Sequence, residues 1–420
     1  MKKTTVRLLS KLERLFKIDI RYVLAGNFWL NTNRFLSIAN GLALSISFAH
    51  FLTKEDYGIY SYALIVIGLF STPLTTAMGA GMVKGVPRNN HHIIFEGLRF
   101  LLPWSIVASF LLGAIAVYYG YMGNLVLFFT LLLGSLSLPI LIRNGMAKSF
   151  LSVKGDFGFT TRFNALRTPI STALLVGAAL IGRSALPVLI TSILTNIVLS
   201  YLLYIAVAKK YDLHEKSHND HGDVPFSKKY ALHSAFLSIF NYGADKIDNL
   251  ILWKFLGASP VAVYSYALAP IRELKSLIEN QSTLAIPKFA QKDYSIVLSG
   301  LLLRIKQLYI FTIPLIIIYV ISAPTIFKYL FPQYLDAVFL SQLASLSLLS
   351  SPRKLINVAI SSHQKIFESY LINVIPNMIK IILSFIFISK YGINGAVYGL
   401  LISEMFDYII LGLIIRRTKK

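Results

Sequence analysis

Charged and amide side chains recur at helical spacing inside long apolar stretches of this sequence. Asn241, Tyr242, Asp245, Lys246, Asp248 and Asn249 fall within 231–256. At 100° per residue they span an arc of about 160°, with Gly243, Ile247, Leu250 and Ile251 opposite. In 366–389, Asn373, Asn377, Lys380 and Ser384 lie within about 60° of one another. Asn33, Arg34, Ser37, Asn40, Gly41 and Ser45 share a third polar arc in 24–52. Arg272, Lys275 and Glu279 share a face of 258–283 beside Glu273, and Glu404 and Asp407 stand three residues apart in 392–415.

An ionisable group in a membrane-spanning helix is costly unless it faces a bundle interior or a water-filled cavity. Cations and amides on such a face bind anions. Neither Arg34 nor Lys380 has an acidic residue one turn away, so both are expected to be unpaired and to attract an anionic ligand. Asp245, Lys246 and Asp248 also admit a self-neutralising pair that serves packing alone. The Arg272 and Lys275 face reads either as a cationic entrance or as a solvated helix end. The expected substrate-binding set is therefore Asn33, Arg34, Asn40, Asn241, Asp245, Lys246, Asp248, Arg272, Lys275, Asn373, Asn377 and Lys380. Asp245, Asp248, Glu404 and Asp407 are candidates for a coupling H+ or Na+, with pairing to the lumen cations as the alternative for Glu404 and Asp407.

Other chemistries are excluded by residue type. The absence of cysteine removes a disulfide framework, a cysteine zinc site and a thiol nucleophile. No Gly-rich loop ends in Gly-Lys-Ser/Thr, so no built-in ATPase is expected, and no catalytic residue, metal or cofactor is assigned. His214, His218 and His221 sit in the hydrophilic stretch 209–229 with Lys209, Lys210, Glu215 and Asp220. With no rigid element to fix ligand geometry they read as part of a solvated linker and not as a metal site.

The elements that position these residues follow from composition. Of 420 residues, 55% are hydrophobic and 14% charged, and the mean hydropathy is +0.64. A soluble domain carries about 25% charge and cannot bury this much apolar surface. Lipid is the solvent. Runs long enough to cross a bilayer predict twelve helices, at 24–52, 57–83, 95–119, 123–147, 160–181, 184–207, 231–256, 258–283, 301–325, 333–360, 366–389 and 392–415.

Of the 41 Lys and Arg, 33 then fall at the N-terminus, the even-numbered connections with their helix ends, and the C-terminus; Lys54, Arg183, Lys254, Lys328 and Lys390 lie opposite, and three lie inside spans. Because cytoplasmic loops are enriched in basic residues, both termini are expected in the cytoplasm. The net charge of +22 is then topology, and no nucleic acid is implied. The opposite loops, such as Tyr119–Gly123, are too short to hold a soluble active-site domain. Segment 1–22 lacks the long apolar core of a cleavable signal, and its Leu8, Leu9, Leu12, Leu15 and Phe16 among Lys11, Arg14 and Lys17 suit a helix lying on the anionic inner leaflet.

Phe51–Leu64 repeats as Phe255–Leu268, with seven of fourteen positions identical at a constant offset of 204. Chance similarity of apolar segments is the alternative. Both copies cross from an odd span into an even one, six helices apart, which implies two halves inserted in the same orientation. The expected organisation is an amphipathic segment 1–22, a six-helix bundle 23–208, a cytoplasmic linker 209–229 and a second bundle 230–420.

Phe51-Leu52-Thr53-Lys54-Glu55-Asp56-Tyr57-Gly58-Ile59-Tyr60 resembles the opening signature of the polysaccharide transporter family, the O-antigen and capsular lipid-linked oligosaccharide flippases of the multidrug/oligosaccharidyl-lipid/polysaccharide superfamily. Asp245-Lys246-Ile247-Asp248 through Lys254-Phe255-Leu256-Gly257 resembles that family's seventh span, and Tyr391-Gly392-Ile393-Asn394-Gly395-Ala396 its last helix. The resemblance runs the length of the chain. It implies an all-α, MATE-like integral membrane protein with two pseudo-symmetric six-helix bundles across a cationic cavity. It also implies a bacterial inner-membrane transporter, not an enzyme, that is monomeric and carries an oligosaccharide on undecaprenyl diphosphate. The diphosphate would meet Arg34, Lys246 and Lys380, the prenyl tail would stay in membrane lipid, and polymerase and chain-length machinery would act on the product. The rivals are a multidrug antiporter, disfavoured by repulsion from lumen cations, and a polymerase or glycosyltransferase, disfavoured by the short outer loops. A lipid II flippase normally has extra helices.

Overall fold

A computed structural model describes residues 20–83, 85–86, 93–213, 225–283, 294–353 and 366–418. Segment 1–19 and the histidines of the linker lie outside the described residues, as do the side chains of Asn373, Glu279 and Asp407. The described chain is helical throughout: α1 (Ile20–Phe51), α2 (Lys54–Met82), α3 (Ile93–Tyr121), α4 (Leu125–Lys154), α5 (Phe157–Gly182), α6 (Ala185–Tyr211), α7 (Lys228–Leu256), α8 (Ala258–Thr283), α9 (Tyr294–Leu330), α10 (Val338–Ala344) and α11 (Ile366–Thr418). Among the described residues, seven helices are long and apolar enough to cross a membrane. The chain is a multi-pass membrane protein. α7 and α8 fall short of that apolar threshold because they carry the charges identified above.

Local signals set the boundaries. Thr53 Oγ1 accepts from the Asp56 N–H at 3.1 Å and its hydroxyl donates to Asp56 Oδ2 at 2.5 Å, a reciprocal cap for α2. Asn124 caps α4 by accepting from Leu127 N–H at 3.0 Å, and Asp156 caps α5 through Phe159 N–H at 3.0 Å. α11 is one continuous element broken at Gly392 (φ 60°, ψ −137°), a left-handed conformation that glycine adopts without a Cβ clash. Its limbs, 366–391 and 393–418, correspond to the last two expected spans.

The tenth expected span, 333–360, is helical in its described part but departs from regular α-winding. Its described part is a 3₁₀ turn (Pro332–Ala337) with Tyr334 off helical geometry (φ −116°, ψ 32°), the short α10, and a second 3₁₀ stretch (Ser345–Arg353). Hydroxyls of Ser345 and Ser350 donate to carbonyls three residues back, at Gln342 (2.6 Å) and Ser347 (2.7 Å). Such bonds compete with the i to i−4 ladder and favour the tighter winding.

By compactness the chain forms two units. The first takes the described parts of Met1–Ser47, Pro73–Gly182 and Pro187–Ala235; the second takes Phe48–Thr72, Arg183–Leu186 and the described parts of Phe236–Lys420. In the first, Met78, Met82, Ile93, Ile94 and Phe150 are fully buried around Phe226. Phe226 lies where Gly81 and Gly97 leave room for its ring, and its N–H donates to Glu96 Oε2 at 2.8 Å.

The second unit borrows 48–72 and 183–186 across the linker boundary for local reasons. Tyr62 stacks on Trp253 with centroids 4.1 Å apart, and Tyr266 stacks on Tyr334 at 3.8 Å. Each such aromatic pair contributes about 0.5–1.5 kcal/mol beyond burial. Lys54 pairs with Asp336 at 2.6 Å, and Asp56 Oδ1 accepts from the Ala185 N–H at 2.8 Å. Ser61 and Ser265, equivalents at the offset of 204, meet hydroxyl to hydroxyl at 3.3 Å. The local axis relating 51–64 to 255–268 therefore passes between these two side chains.

A charge-paired cavity in the second unit

Within the second unit, α7, α8 and α11 enclose a cavity of about 290 Å³. α7 supplies Asp245, Lys246, Asp248 and Asn249, two adjacent pairs offset by three residues; α8 supplies Tyr264, Arg272, Lys275 and Ser276; α11 supplies Lys380 and Glu404. Ser347 enters from the 3₁₀ stretch. Among the described residues, four cations and three carboxylates line one space.

Asp248, with 1% of its surface exposed, is the centre of the polar network. Its Oδ1 accepts from the Ser384 hydroxyl at 2.5 Å, and its Oδ2 from the Tyr264 hydroxyl at 2.9 Å, with Lys380 Nζ 3.5 Å away. A buried charge needs such saturation, because an isolated carboxylate in a low-dielectric interior is strongly disfavoured. Asn249 accepts from the Ser265 hydroxyl at 3.3 Å, which leaves Ser61 to donate to Ser265. Lys246 pairs with its neighbour Asp245 at 2.6 Å, and Lys275 donates to Glu404 Oε1 at 2.8 Å. Arg272 makes no ion pair within 4 Å among the described residues.

The structure thus brings together Asp245, Lys246, Asp248, Arg272, Lys275, Lys380 and Glu404. It corrects the expectation that Lys380 is unpaired: its counter-charge stands on α7, where no reading of α11 alone could find it. The Arg272 and Lys275 face lines the cavity, and Glu404 takes up the pairing role that the sequence left as an alternative. Asn241 and Asn377 bond to each other at 2.8 Å and lie outside the cavity lining.

Asn33, Arg34 and Asn40 belong to the first unit and do not line this cavity. There Asn33 Oδ1 accepts from Asn164 Nδ2 at 3.0 Å, and Asn40 donates back to Leu36 O at 2.8 Å. Tyr264, Ser276 and Ser347 were not singled out as site residues by sequence; Tyr264 carried a signal, as one of the repeat identities. Among the described residues no three His, Asp or Glu side chains gather as metal ligands. The cavity carboxylates each face a lysine, an arrangement that suits the exchange of anions.

The sequence profile of the family described as "Polysaccharide biosynthesis protein" matches residues 48–339. No curated protein matches the chain in sequence. Among solved structures, an inward-facing multidrug resistance MATE family transporter of the MOP superfamily is similar with a TM-score of 0.66 at 15% identity, covering 92% of this chain and 94% of its own. A MOP superfamily transporter from Pyrococcus furiosus, described as having a binding pocket of reverse polarity that suggests a different function, gives 0.61 at 14% identity over 95% and 96%. The lipid II flippase MurJ, in an inward closed conformation, gives 0.61 at 16% over 94% and 87%. These likenesses establish an all-helical, MATE-like fold.

Proposed function

The chain belongs to the polysaccharide biosynthesis protein family, and from that premise we propose that it is a flippase for an oligosaccharide carried on undecaprenyl diphosphate. In this reading it lies in a bacterial cytoplasmic membrane with both termini in the cytoplasm, acts as a monomer, and uses no catalytic residue. The observation that carries the reading is the cavity itself: among the described residues, four cations, one of them without a direct carboxylate contact, set into helices of a membrane protein. Arg272 and Lys275, one turn apart on α8, suit the oxygens of a diphosphate. Arg34, with Lys246 and Lys380, remains a candidate for the diphosphate and any acidic sugars, and Asn33, Asn40 and Asn373 remain candidate substrate contacts.

The halves 23–208 and 230–420 would expose the substrate to one side and then the other by alternating access. H+ or Na+ coupling through Asp245, Asp248, Glu404 or Asp407, or consumption of the product by polymerase and chain-length machinery, would supply direction. A multidrug antiporter fits less well, since each described cavity carboxylate already holds a lysine and offers no free charge to an organic cation.

In a strain lacking this protein, undecaprenyl-linked glycan should accumulate in the inner leaflet while surface polysaccharide is lost. Wild-type protein should restore export, and Arg272→Ala should not, at equal protein level. Altered drug sensitivity without glycan accumulation would refute the flippase and favour the antiporter. Accumulation on the outer leaflet would place the chain at a polymerising step instead.

A further inference from the structure

The two cross-helix ion pairs of the cavity are built differently. Asp248 is fully buried, and both of its oxygens are taken by donors from α8 and α11. Glu404 is held by Lys275 alone among the described residues, with 13% of the acid and 30% of the lysine side chain exposed. Removing Lys275 from Glu404 costs one charge-assisted hydrogen bond. Removing Lys380 from Asp248 disturbs a network of three donors. Beside Lys275, one turn earlier on α8, stands Arg272, the cavity cation without a carboxylate within 4 Å among the described residues.

We propose that Glu404 is a built-in surrogate for the anionic group of the substrate. In the empty protein it occupies Lys275. A phosphate oxygen arriving at Arg272 takes Lys275 from it, and the released carboxylate takes up a proton from the bulk solution. The inference rests on the anion-binding reading above and names its exchangeable pair. Charge balance supports the proton: the described cavity carries one net positive charge, a dianionic group would leave it one negative, and a neutral Glu404 restores balance. The lysine–carboxylate contact is exchanged for a lysine–phosphate contact, so nothing charged is left unpaired. Asp248 is the fixed counter-charge that holds Lys380 and does not exchange.

Among the described residues, the groups that face Glu404 across the cavity are Lys275, Arg272 and Tyr264 from α8, Asp245, Lys246 and Asp248 from α7, and Lys380 from the first limb of α11; the described 3₁₀ stretch contributes Ser347, which does not titrate. Among the described residues no histidine lines the cavity. Glu404 is the acid of this set whose charge depends on whether its lysine is taken.

The test is binding of inorganic sulfate, a dianion of constant charge, to the full-length protein in lipid nanodiscs by titration calorimetry between about pH 5.5 and 8. Wild type should bind about fivefold more weakly at the alkaline end, the worth of one partly exposed ion pair. Glu404→Gln should bind about fivefold more tightly than wild type at about pH 8 and lose the pH dependence. Asp248→Asn should keep the dependence, whatever its absolute affinity. Should Glu404→Gln fail to fold, Glu404→Asp, with its shorter reach to Lys275, must shift in the same direction. Glu404→Gln binding more weakly than wild type, or keeping the wild-type dependence, would overturn the surrogate role while leaving the anion site standing. No sulfate binding by any of these proteins would overturn both readings.

Discussion

Replacing Lys380 with methionine tests whether the Asp248 network is held by charge or by hydrogen bonds alone. The lysine sits 3.5 Å from a carboxylate that is 1% exposed. At an effective dielectric of about 20, that separation corresponds to about 5 kcal/mol of gross attraction. Part is returned as lysine desolvation is relieved, and the Tyr264 and Ser384 hydroxyls continue to hold the carboxylate. Breaking one side of a buried pair costs about 3–5 kcal/mol. With an unfolding entropy of about 0.9 kcal/mol per kelvin for 420 residues, Lys380→Met should lower the melting temperature by about 3–6 °C. The double variant Lys380→Met with Asp248→Asn should recover about 2 kcal/mol of that loss, because no buried charge is left over. Thermal unfolding of the four purified proteins, followed by a thiol-independent fluorescence readout, measures the cycle. A single variant as stable as wild type, or a double variant no better than the single, would refute the pairing argument.

Two further outcomes follow from contacts outside the cavity. Asp156, in the short connection between α4 and α5, is raised by burial, but hydrogen bonds from Lys210, Tyr211 and the Phe159 N–H, with the charge of Lys210, outweigh this and hold it below the ordinary carboxylate value of 3.8. A depressed acid stabilises the fold above its unfolded value and loses that contribution as pH falls through the folded one; melting of Asp156→Asn should therefore fall less steeply than wild type on acidification below about pH 4. At Gly58, an added Cβ would stand 2.0 Å from Ala258 O. Gly58→Ala should force α2 and α8 apart and cost about 1–3 kcal/mol, read as lowered yield and melting temperature, whereas Gly41→Ala, with nothing within 4 Å, should not.

Much of the architecture was legible because lipid imposes simple rules. Helices α2 to α9 lie close to the expected spans, since long apolar runs can satisfy their backbone in a bilayer only by coiling. The polar face of α7 was legible for the same reason: Asp245, Lys246 and Asp248 recur at a period that only a helix presents together. Partnership across elements was not. Nothing near Lys380 in sequence points to Asp248, and pairing between distant residues is decided by packing. The tighter winding of 332–353 was not legible either: its hydropathy suits a span, but serine hydroxyls donating to carbonyls three residues back favour 3₁₀ over α geometry there.

The repeat explains where the charges could be placed. At the offset of 204, Tyr264 and Ser265 of the second copy retain Tyr60 and Ser61, and the serines still touch across the local axis. The same offset sets Asp245, Lys246 and Asp248 against Gly41, Leu42 and Leu44, and Arg272 and Lys275 against Gly68 and Ser71. The retained serines are a point at which the copies touch, whereas Asp245, Lys246, Asp248, Arg272 and Lys275 have no charged counterpart in the other copy. A buried carboxylate is tolerable only once its donors are in place, and Tyr264, the donor to Asp248, comes from the retained set. A residue shared by both copies therefore supplies the hydrogen bond on which the second copy's charge centre depends, and Tyr264→Phe should weaken the site while Tyr60→Phe should not.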